Sequence, residues 1–165
     1  MKILLSSTVS YNLWVNERLV NLFRSVDQSL IEQAVVSSFP SIRATLLHLW
    51  DVEVLWLARL NGVSPTDFPS KTFKGSNEEI YQNLLKSSQD FVDYVVNKPV
   101  ESFYESIAYT LLTAQGDFRN DAGDMIQHCM NHQSFHRGQL ITMARQLGIT
   151  EFPRTDYIMY KRQLS

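Results

Sequence analysis

Residues 125–147 read MIQHCMNHQSFHRGQLITMARQL and contain three of the chain's four histidines. His128, His132 and His136 recur every four residues, so on an α-helix of 3.6 residues per turn they lie about 40° apart on one side. Apolar side chains in the same stretch recur at intervals of three and four residues, which is typical of a helix that faces a core. The sequence therefore predicts an amphipathic helix with a ladder of histidines.

The apolar stripe of this helix separates the three histidines into two kinds. Its members are Met125, Cys129, Leu140, Met143 and Leu147. His132 and His136 fall in the gap of the stripe and are predicted to face the core. His128 lies about 80° from its centre and is predicted to support a site from behind or to lie at the surface. Cys129 is interpreted as a buried, inert thiol.

Two core-facing histidines four residues apart can bind one divalent cation. Burying an imidazole without a partner costs a few kcal/mol, and an ion offsets that cost. Neutral rings on successive turns can place nitrogens about 2.0–2.1 Å from one ion, as in HExxH helices. Gln133 stands where those helices carry the glutamate, so zinc-protease chemistry of that type is not predicted. Hydrogen-bonded core histidines are the alternative for the pair taken alone.

The composition is that of an ordinary globular protein. The chain has 165 residues, of which 44% are hydrophobic and 19% are charged. This length is sufficient for one sizeable core, and the hydrophobic fraction is too high for a disordered chain. We expect a single domain over residues 1–165.

The charges and the cysteine content speak against several classes of function. Fifteen basic residues oppose 17 acidic ones and give a net charge of -2, so no basic stripe predicts nucleic-acid binding. A single cysteine cannot form an internal disulfide. No apolar run resembles a signal peptide or approaches the roughly 20 residues of a membrane span. We expect a cytoplasmic protein whose partners are small molecules or a second copy of itself.

Two helices are predicted in the first part of the chain. Apolar residues recur at helical spacing over residues 8–24, and a loop follows. Ser41 can cap a second helix that continues without a breaker to Gly62, a natural C′ residue. This helix carries the remaining histidine, His48, which alone is as easily a core residue but is the obvious third nitrogen beside the HxxxH pair. Residues 63–75 form a loop by composition.

A third helix and an extended segment precede the histidine ladder. The capping box Ser-Asn-Glu-Glu begins at Ser76, and the helix it opens ends before Pro99. Residues 103–119 hold β-prone residues around a Gln-Gly pair, which predicts a hairpin or extended crossover between helices three and four. Asn120 or Asp121 can cap the ladder helix. The tail TDYIMYKRQLS is predicted to be a short strand or turn.

The pattern NHxxxHRGQ from Asn131 to Gln139 resembles the signature of the DinB/YfiT-like superfamily of four-helix metalloproteins. The resemblance covers nearly the full length. It includes YNLWVN at residues 11–16, PSIRATLLHLW around His48, and an ending with Gly148, Pro153 and Asp156. It implies an all-α four-helix bundle in which the helices run up, down, down and up.

The same resemblance implies a divalent-metal site, usually for nickel or zinc. Carried over residue by residue, the ligands are His48, His132 and His136. His128 matches a position that is often histidine without being a ligand, so it remains a pocket candidate. Asp51 and Gln139 share faces with the ligands and are candidates to orient one, whereas Arg137 is interpreted as a structural salt-bridge or capping residue. Similar proteins often form homodimers, and no residue is assigned as catalytic.

Three nitrogen ligands leave positions of the metal open to water or substrate. Such a metal lowers the pKa of a bound water or thiol toward neutrality. Relatives in the superfamily include transferases and isomerases that use low-molecular-weight thiols such as bacillithiol or mycothiol. The resemblance therefore implies a metal-dependent enzyme acting on a small molecule, either a thiol-dependent S-transferase or a hydrolase. The alternative is a noncatalytic metal- or ligand-binding stress-response protein.

Overall fold

The computed structural model describes residues 1–164 as a bundle of four long helices with one β-hairpin, which confirms the predicted fold class. The long helices are α1 (Lys2–Ser25), α3 (Ile42–Leu60), α4 (Asn77–Asn97) and α5 (Ala122–Gln146). Shorter elements are α2 (Gln28–Glu32), α6 (Tyr157–Arg162), β1 (Ser106–Thr110) and β2 (Asp117–Asp121), with 3-10 turns at Pro69–Lys71 and Val100–Tyr104. Across these residues, every helix is too short or too polar to span a bilayer.

Contacts at the helix ends show that α3 and α4 run parallel. Arg43, near the start of α3, donates to the carbonyl of Gly75 just ahead of α4, at 2.7 Å. Tyr94, near the end of α4, donates to the carbonyl of Leu60, the last residue of α3, at 3.1 Å. The connection between these two helices must therefore return along the whole bundle, about 28 Å for the 19 residues of α3 at 1.5 Å per residue.

The first and last long helices, α1 and α5, run in the direction opposite to α3 and α4. Lys2, at the start of α1, donates to the carbonyl of Val96 near the end of α4 at 2.9 Å. Thr45, near the start of α3, donates to the sulfur of Met143 near the end of α5 at 3.4 Å. Helices α1 and α5 are thus antiparallel to α4 and α3, and the up, down, down, up order is confirmed.

The structure corrects one predicted helix boundary and adds one helix that was not predicted. Helix α1 begins at Lys2 and not at residue 8, because the Lys2 amino group is anchored on carbonyls at the end of α4 and Leu5 is buried. Helix α2 lies inside the predicted loop. Asp27 caps it by accepting from the backbone N–H of Ser29 at 2.9 Å, and Ile31 is fully buried. Five residues are too few to show a helical period.

The tail is also corrected, since residues 157–162 form helix α6 and not a strand or turn. Tyr160 is buried there, with its ring centroid 5.8 Å from that of Tyr11 and 5.6 Å from that of Trp14. The indole N–H of Trp14 donates to Gln163 at 3.0 Å. Aromatic contacts with α1 therefore decide the conformation of this short segment.

The predicted capping signals mostly hold. The hydroxyl of Ser41 accepts from the backbone N–H of Ala44, and the Ser76 capping box is complete. Gly62 follows α3 with a φ of 78°, a conformation that favours glycine. Asp121 occupies the N-cap position of α5, but its side chain makes no capping bond, so that part of the prediction is wrong.

The predicted hairpin is present, and it forms one wall of the cavity that is described below. Strands β1 and β2 pair antiparallel with Tyr109 opposite Phe118. The ring of Tyr109 is buried and packs edge-on against Trp56 of α3, with the centroids 5.4 Å apart. The hairpin is thereby held against the C-terminal half of α3.

A layer of buried polar side chains crosses the bundle at the junction of two apolar clusters. Every long helix contributes, and each side chain is at most 6% exposed: Asn12, Asn16, Glu53, Ser87, Ser88 and Arg137. The carboxylate of Glu53 accepts from Asn12, Ser87 and Ser88 at 2.5–3.0 Å. These bonds compensate for the burial of the carboxyl group. We call this set the polar layer.

Candidate metal centre

Helices α3 and α5 bring His48, His132 and His136 into one cluster. Nε2 of His132 lies 3.1 Å from Nε2 of His48 and 3.1 Å from Nε2 of His136. One ring nitrogen of each residue lies within 4.8 Å of the other two. The three histidines singled out by the sequence therefore form a group that could hold a metal ion.

The packing of α5 on α3 sets this geometry. Gln133, between the two histidines of α5, is fully buried and donates to the backbone carbonyl of Leu49 at 2.9 Å. Because Leu49 directly follows His48, this bond fixes the HxxxH turn beside the turn that carries the third histidine. The predicted core stripe is at most 1% exposed at Met125, Cys129, Leu140 and Met143, and His136 is buried with it.

Gln139 lies behind the ring of His136. Its Oε1 atom is 2.7 Å from His136 Nδ1, and its amide nitrogen donates to the hydroxyl of Ser38 at 2.8 Å. The amide thus presents its oxygen to the ring, so Nδ1 carries the proton and donates. Nε2 of His136 is left with a lone pair facing the cluster, which is the form of imidazole that binds a metal.

Burial keeps two of the rings uncharged. It lowers the pKa of His48 from 6.5 to about 4, and the positive charge of a protonated His136 would add to this effect. Burial also lowers the pKa of His132 to about 3, with smaller contributions from the neighbouring imidazoles. Both rings are therefore neutral, and able to act as ligands, at the pH of a cell.

The cluster fits a cation better than it fits a hydrogen-bonded core. Nε2 of His132 faces two ring nitrogens and can donate to only one of them. Its Nδ1 atom is buried and has no hydrogen-bond partner within residues 1–164. Two nitrogens that bind one ion at about 2.1 Å are about 3.0–3.4 Å apart. The two separations that involve His132, both 3.1 Å, lie in this range, and the ring nitrogens of His48 and His136 lie within 4.8 Å of each other.

We expect Gln139→Ala to weaken zinc or nickel binding about 10- to 100-fold, because His136 loses the acceptor that fixes its proton on Nδ1. Competition with a chromophoric chelator measures the affinity. The matched control is Gln127→Ala on the same helix, since that amide bonds Asn131 at 2.9 Å and lies outside the cluster. Equal affinities of the two variants would contradict an orienting role for Gln139.

A cavity of about 570 Å³ opens beside the cluster, with His48 and His132 in its wall. This volume lies in the usual range of small-molecule sites, about 300–1,000 Å³. Phe39 covers the cluster elsewhere, with its ring centroid 4.4 Å from that of His48 and 5.6 Å from that of His136. The rest of the cavity wall is mostly apolar and includes Val52, Leu55, Trp56, Phe68, Leu111 and Leu112.

The two other supporting candidates lie in different places. His128 is exposed and lines the cavity, with its ring centroid 4.8 Å from that of Trp56 and 6.4 Å from that of His132. Asp51 is directed away from the cluster and accepts from the backbone N–H and the hydroxyl of Ser70, at 2.8 and 2.5 Å. Asp51 therefore holds the α3–α4 connection and not a histidine.

Within residues 1–164, Arg137 makes neither the predicted salt bridge nor a carbonyl cap. Its guanidinium donates to the side chains of Asn12 and Ser134. The amide nitrogen of Asn12 donates in turn to the carboxyl group of Glu53. The sequence did not predict the polar layer to which Arg137 belongs, because the residues of that layer are far apart in the chain. It also missed Arg59, which is buried in the cavity wall but in the sequence resembles any basic residue in the last turn of a helix.

Comparison with known proteins places the chain in a family. The sequence profile of the DinB family matches residues 1–163. The chain belongs to the DinB family. Protein DinB of Bacillus subtilis (strain 168) is 25% identical over an alignment 162 residues long, and the match covers 91% of this chain and 89% of that protein. The resemblance carried by the NHxxxHRGQ pattern is thereby confirmed.

Solved DinB-like structures share the fold. A crystal structure of a DinB-like protein from Bacillus cereus ATCC 10987 has a TM-score of 0.68 and 14% identity, and the match covers 88% of this chain and 91% of that one. One from Bacillus subtilis has a TM-score of 0.66 and 16% identity, with 90% and 97% covered. At these identities the likeness establishes the DinB-like fold alone.

Proposed function

We propose that this DinB-family protein is a divalent-metal-dependent enzyme acting on a small molecule, as a thiol-dependent S-transferase or a hydrolase. The observation that carries the proposal is the position of the histidine cluster in the wall of an open cavity. Structural zinc sites are closed by four protein ligands, whereas catalytic sites keep a position free. The group found within residues 1–164 has three members, and Phe135 beside it is 63% exposed and does not seal it.

His48, His132 and His136 are the proposed ligands, and imidazole suits both zinc and nickel. When bound, the metal supplies Lewis-acid chemistry and lowers the pKa of a water or thiol. Gln139 fixes the proton of His136 on Nδ1, so that Nε2 stays available. Phe39 covers two of the rings, and the apolar side chains of the cavity exclude water from the reacting groups.

The cavity supports a small-molecule substrate. Its size and its mostly apolar wall suit an electrophile with an aromatic or aliphatic body. A sealed site or a fourth protein ligand would favour the noncatalytic alternative, whereas the group of three histidines beside an open cavity supports the catalytic one.

Activity of the metal-loaded protein tests the proposal. We expect protein loaded with zinc or nickel to accelerate the displacement of chloride from chlorodinitrobenzene by a thiol, or the hydrolysis of nitrophenyl acetate, at least about 100-fold over stripped protein. Bacillithiol, mycothiol and glutathione are supplied as thiols. His132→Ala, loaded in the same way, is the control and is expected to match the stripped protein. Metal-loaded wild type that is no faster than this control in either reaction would favour the noncatalytic alternative.

A further inference from the structure

A buried arginine lies in the wall of the same cavity. Arg59, in the last turn of α3, is 4% exposed. It follows His48 by eleven residues, which is three helical turns along one face and about 16 Å along the helix axis. Val52 and Trp56 lie between the two on that face and also line the cavity. The cavity therefore extends from the histidine cluster to a guanidinium group.

This guanidinium has no anionic partner in the part of the chain that the structure describes. None of the ion pairs found there includes Arg59, and its Nε is buried without a hydrogen-bond acceptor. Its neighbours are rings, with Cζ 4.7 Å from the centroid of Trp56 and 5.6 Å from that of Tyr109. Ring faces attract the cation, but they provide no acceptor in the plane of the guanidinium.

Arg137 is a buried arginine of the same fold whose guanidinium has hydrogen-bond acceptors. It is 6% exposed, and its guanidinium donates to side chains of α1 and α5. Arg59 has a similarly small exposed fraction, but within residues 1–164 its Nε has no such acceptor. Burial without compensation is costly for a cation that stays charged, and burial lowers the pKa of Arg59. The other ionised group in the cavity wall, Asp124, is exposed and forms no ion pair with Arg59 among the described residues.

We propose that Arg59 binds an anionic group of the substrate, a carboxylate, sulfonate or phosphate, while the reacting part of the same molecule lies at the histidine cluster. This inference rests on the proposed function. Guanidinium donors match such oxygen anions geometrically, and the low polarity around Arg59 strengthens the contact. The substrate class is therefore an elongated anion whose apolar middle packs against Val52, Leu55 and Trp56.

Two fluorescent probes of nearly equal shape test the inference. Anilinonaphthalene sulfonate carries an anionic group, and phenylnaphthylamine lacks it. Both are titrated into metal-free protein, so that the result does not depend on the metal. We expect Arg59→Gln to weaken sulfonate binding about 10- to 100-fold and to change phenylnaphthylamine binding less than about twofold. Arg59→Lys, which keeps the charge without the planar fork, is expected to lie between wild type and Arg59→Gln.

The matched control is Arg18→Gln. Arg18 also stacks on a tryptophan, with Cζ 4.1 Å from the ring centroid of Trp14, and its Nε is likewise buried without an acceptor. It does not line the cavity, so its replacement is expected to leave both affinities unchanged. Thermal unfolding confirms that each variant is folded.

Three results would overturn the role of Arg59. They are equal sulfonate affinity of Arg59→Gln and wild type, equal losses for both probes, and no sulfonate binding by the wild type at about millimolar concentration. Uptake of zinc and nickel is measured on separate portions of the same proteins, incubated with each metal. Metal binding with Arg59-independent sulfonate affinity contradicts this inference alone, whereas Arg59-dependent affinity in a protein that takes up no zinc or nickel contradicts the proposed function alone.

Discussion

The His132→Ala variant is expected to lose its metal. Nε2 of His132 is the atom that lies 3.1 Å from both other ring nitrogens, so its removal leaves two imidazoles without their common neighbour. Structural zinc sites with four ligands bind with about 10–16 kcal/mol. One donor then accounts for about 2.5–4 kcal/mol, and its loss lowers affinity roughly 70- to 800-fold. Wild type purified without an affinity tag is expected to carry close to one ion per chain, and the variant almost none.

Mass-spectrometric metal analysis of matched histidine variants makes this result specific. His48→Ala and His136→Ala are expected to behave like His132→Ala. His128→Ala is the control, because that ring is exposed and lies 6.4 Å from the ring of His132. Its metal content is expected to equal that of wild type. A wild type that takes up neither zinc nor nickel on incubation would rule out the metal site and leave a bundle with core histidines.

The Arg137→Met variant is expected to be strongly destabilised. Methionine fills part of the space but supplies no donor to Asn12 or Ser134, and Glu53 loses the positive charge linked to it through Asn12. Removing one partner of a buried charged network costs about 3–5 kcal/mol. For a protein of this size each kcal/mol lowers Tm by about 2–4 °C, so we expect Tm to fall by roughly 6–20 °C. Thermal and urea unfolding of the metal-free protein measure the loss.

The variant Glu53→Gln separates charge from packing in this layer. At a pH above the pKa of Glu53, methionine alone leaves a buried carboxylate behind, so adding Glu53→Gln to Arg137→Met is expected to restore part of the lost stability there. A double variant no more stable than the single one would show that packing, and not charge, causes the loss.

The same control isolates a pH effect. Burial raises the pKa of Glu53 from 4.5 to about 7, against the lowering effect of its hydrogen bonds and of Arg137. The folded state then holds more protons than the unfolded state between these values, so Glu53 makes stability fall as pH rises from about 4.5 to 7. His48 and His132, whose pKa values are lowered, act in the opposite direction below pH 6.5. The difference between wild type and Glu53→Gln therefore isolates the carboxyl group.

The sequence predicted what is encoded locally. The HxxxH pair, the buried side of its helix and the caps at Ser41 and Ser76 all depend on spacings within one helix, and the structure reproduces them, with His136 buried and His132 half-buried in the cavity wall. Asp51 and Gln139 show the limit. Each lies three residues from a histidine on its own helix, yet Gln139 bonds His136 while Asp51 bonds Ser70 in the following connection. Only the neighbouring segments distinguish them.

What the sequence did not reveal depends on distant partners. Glu53 meets Asn12 across 41 positions of the chain and Ser88 across 35, and each of these side chains alone is typical of a solvated helix face. Helix α6 forms through aromatic contacts of Tyr157 and Tyr160 with Tyr11 and Trp14 of α1, 146 or more positions away. Arg59 lies in a cavity wall because the β-hairpin packs over it. The helical periodicity of the sequence does not predict such a contact.

The polar layer divides the interior of the bundle into two apolar halves, each with its own contacts from all four long helices. Such halves can open separately, and their amide protons then exchange with solvent at different rates. His136 directly precedes Arg137, so the histidine cluster lies at the boundary between them. An ion held there ties α3 to α5 at that level. Without the ion, the amide protons of the two halves would exchange with solvent as two separate cooperative units. With the ion bound, they would exchange as one unit.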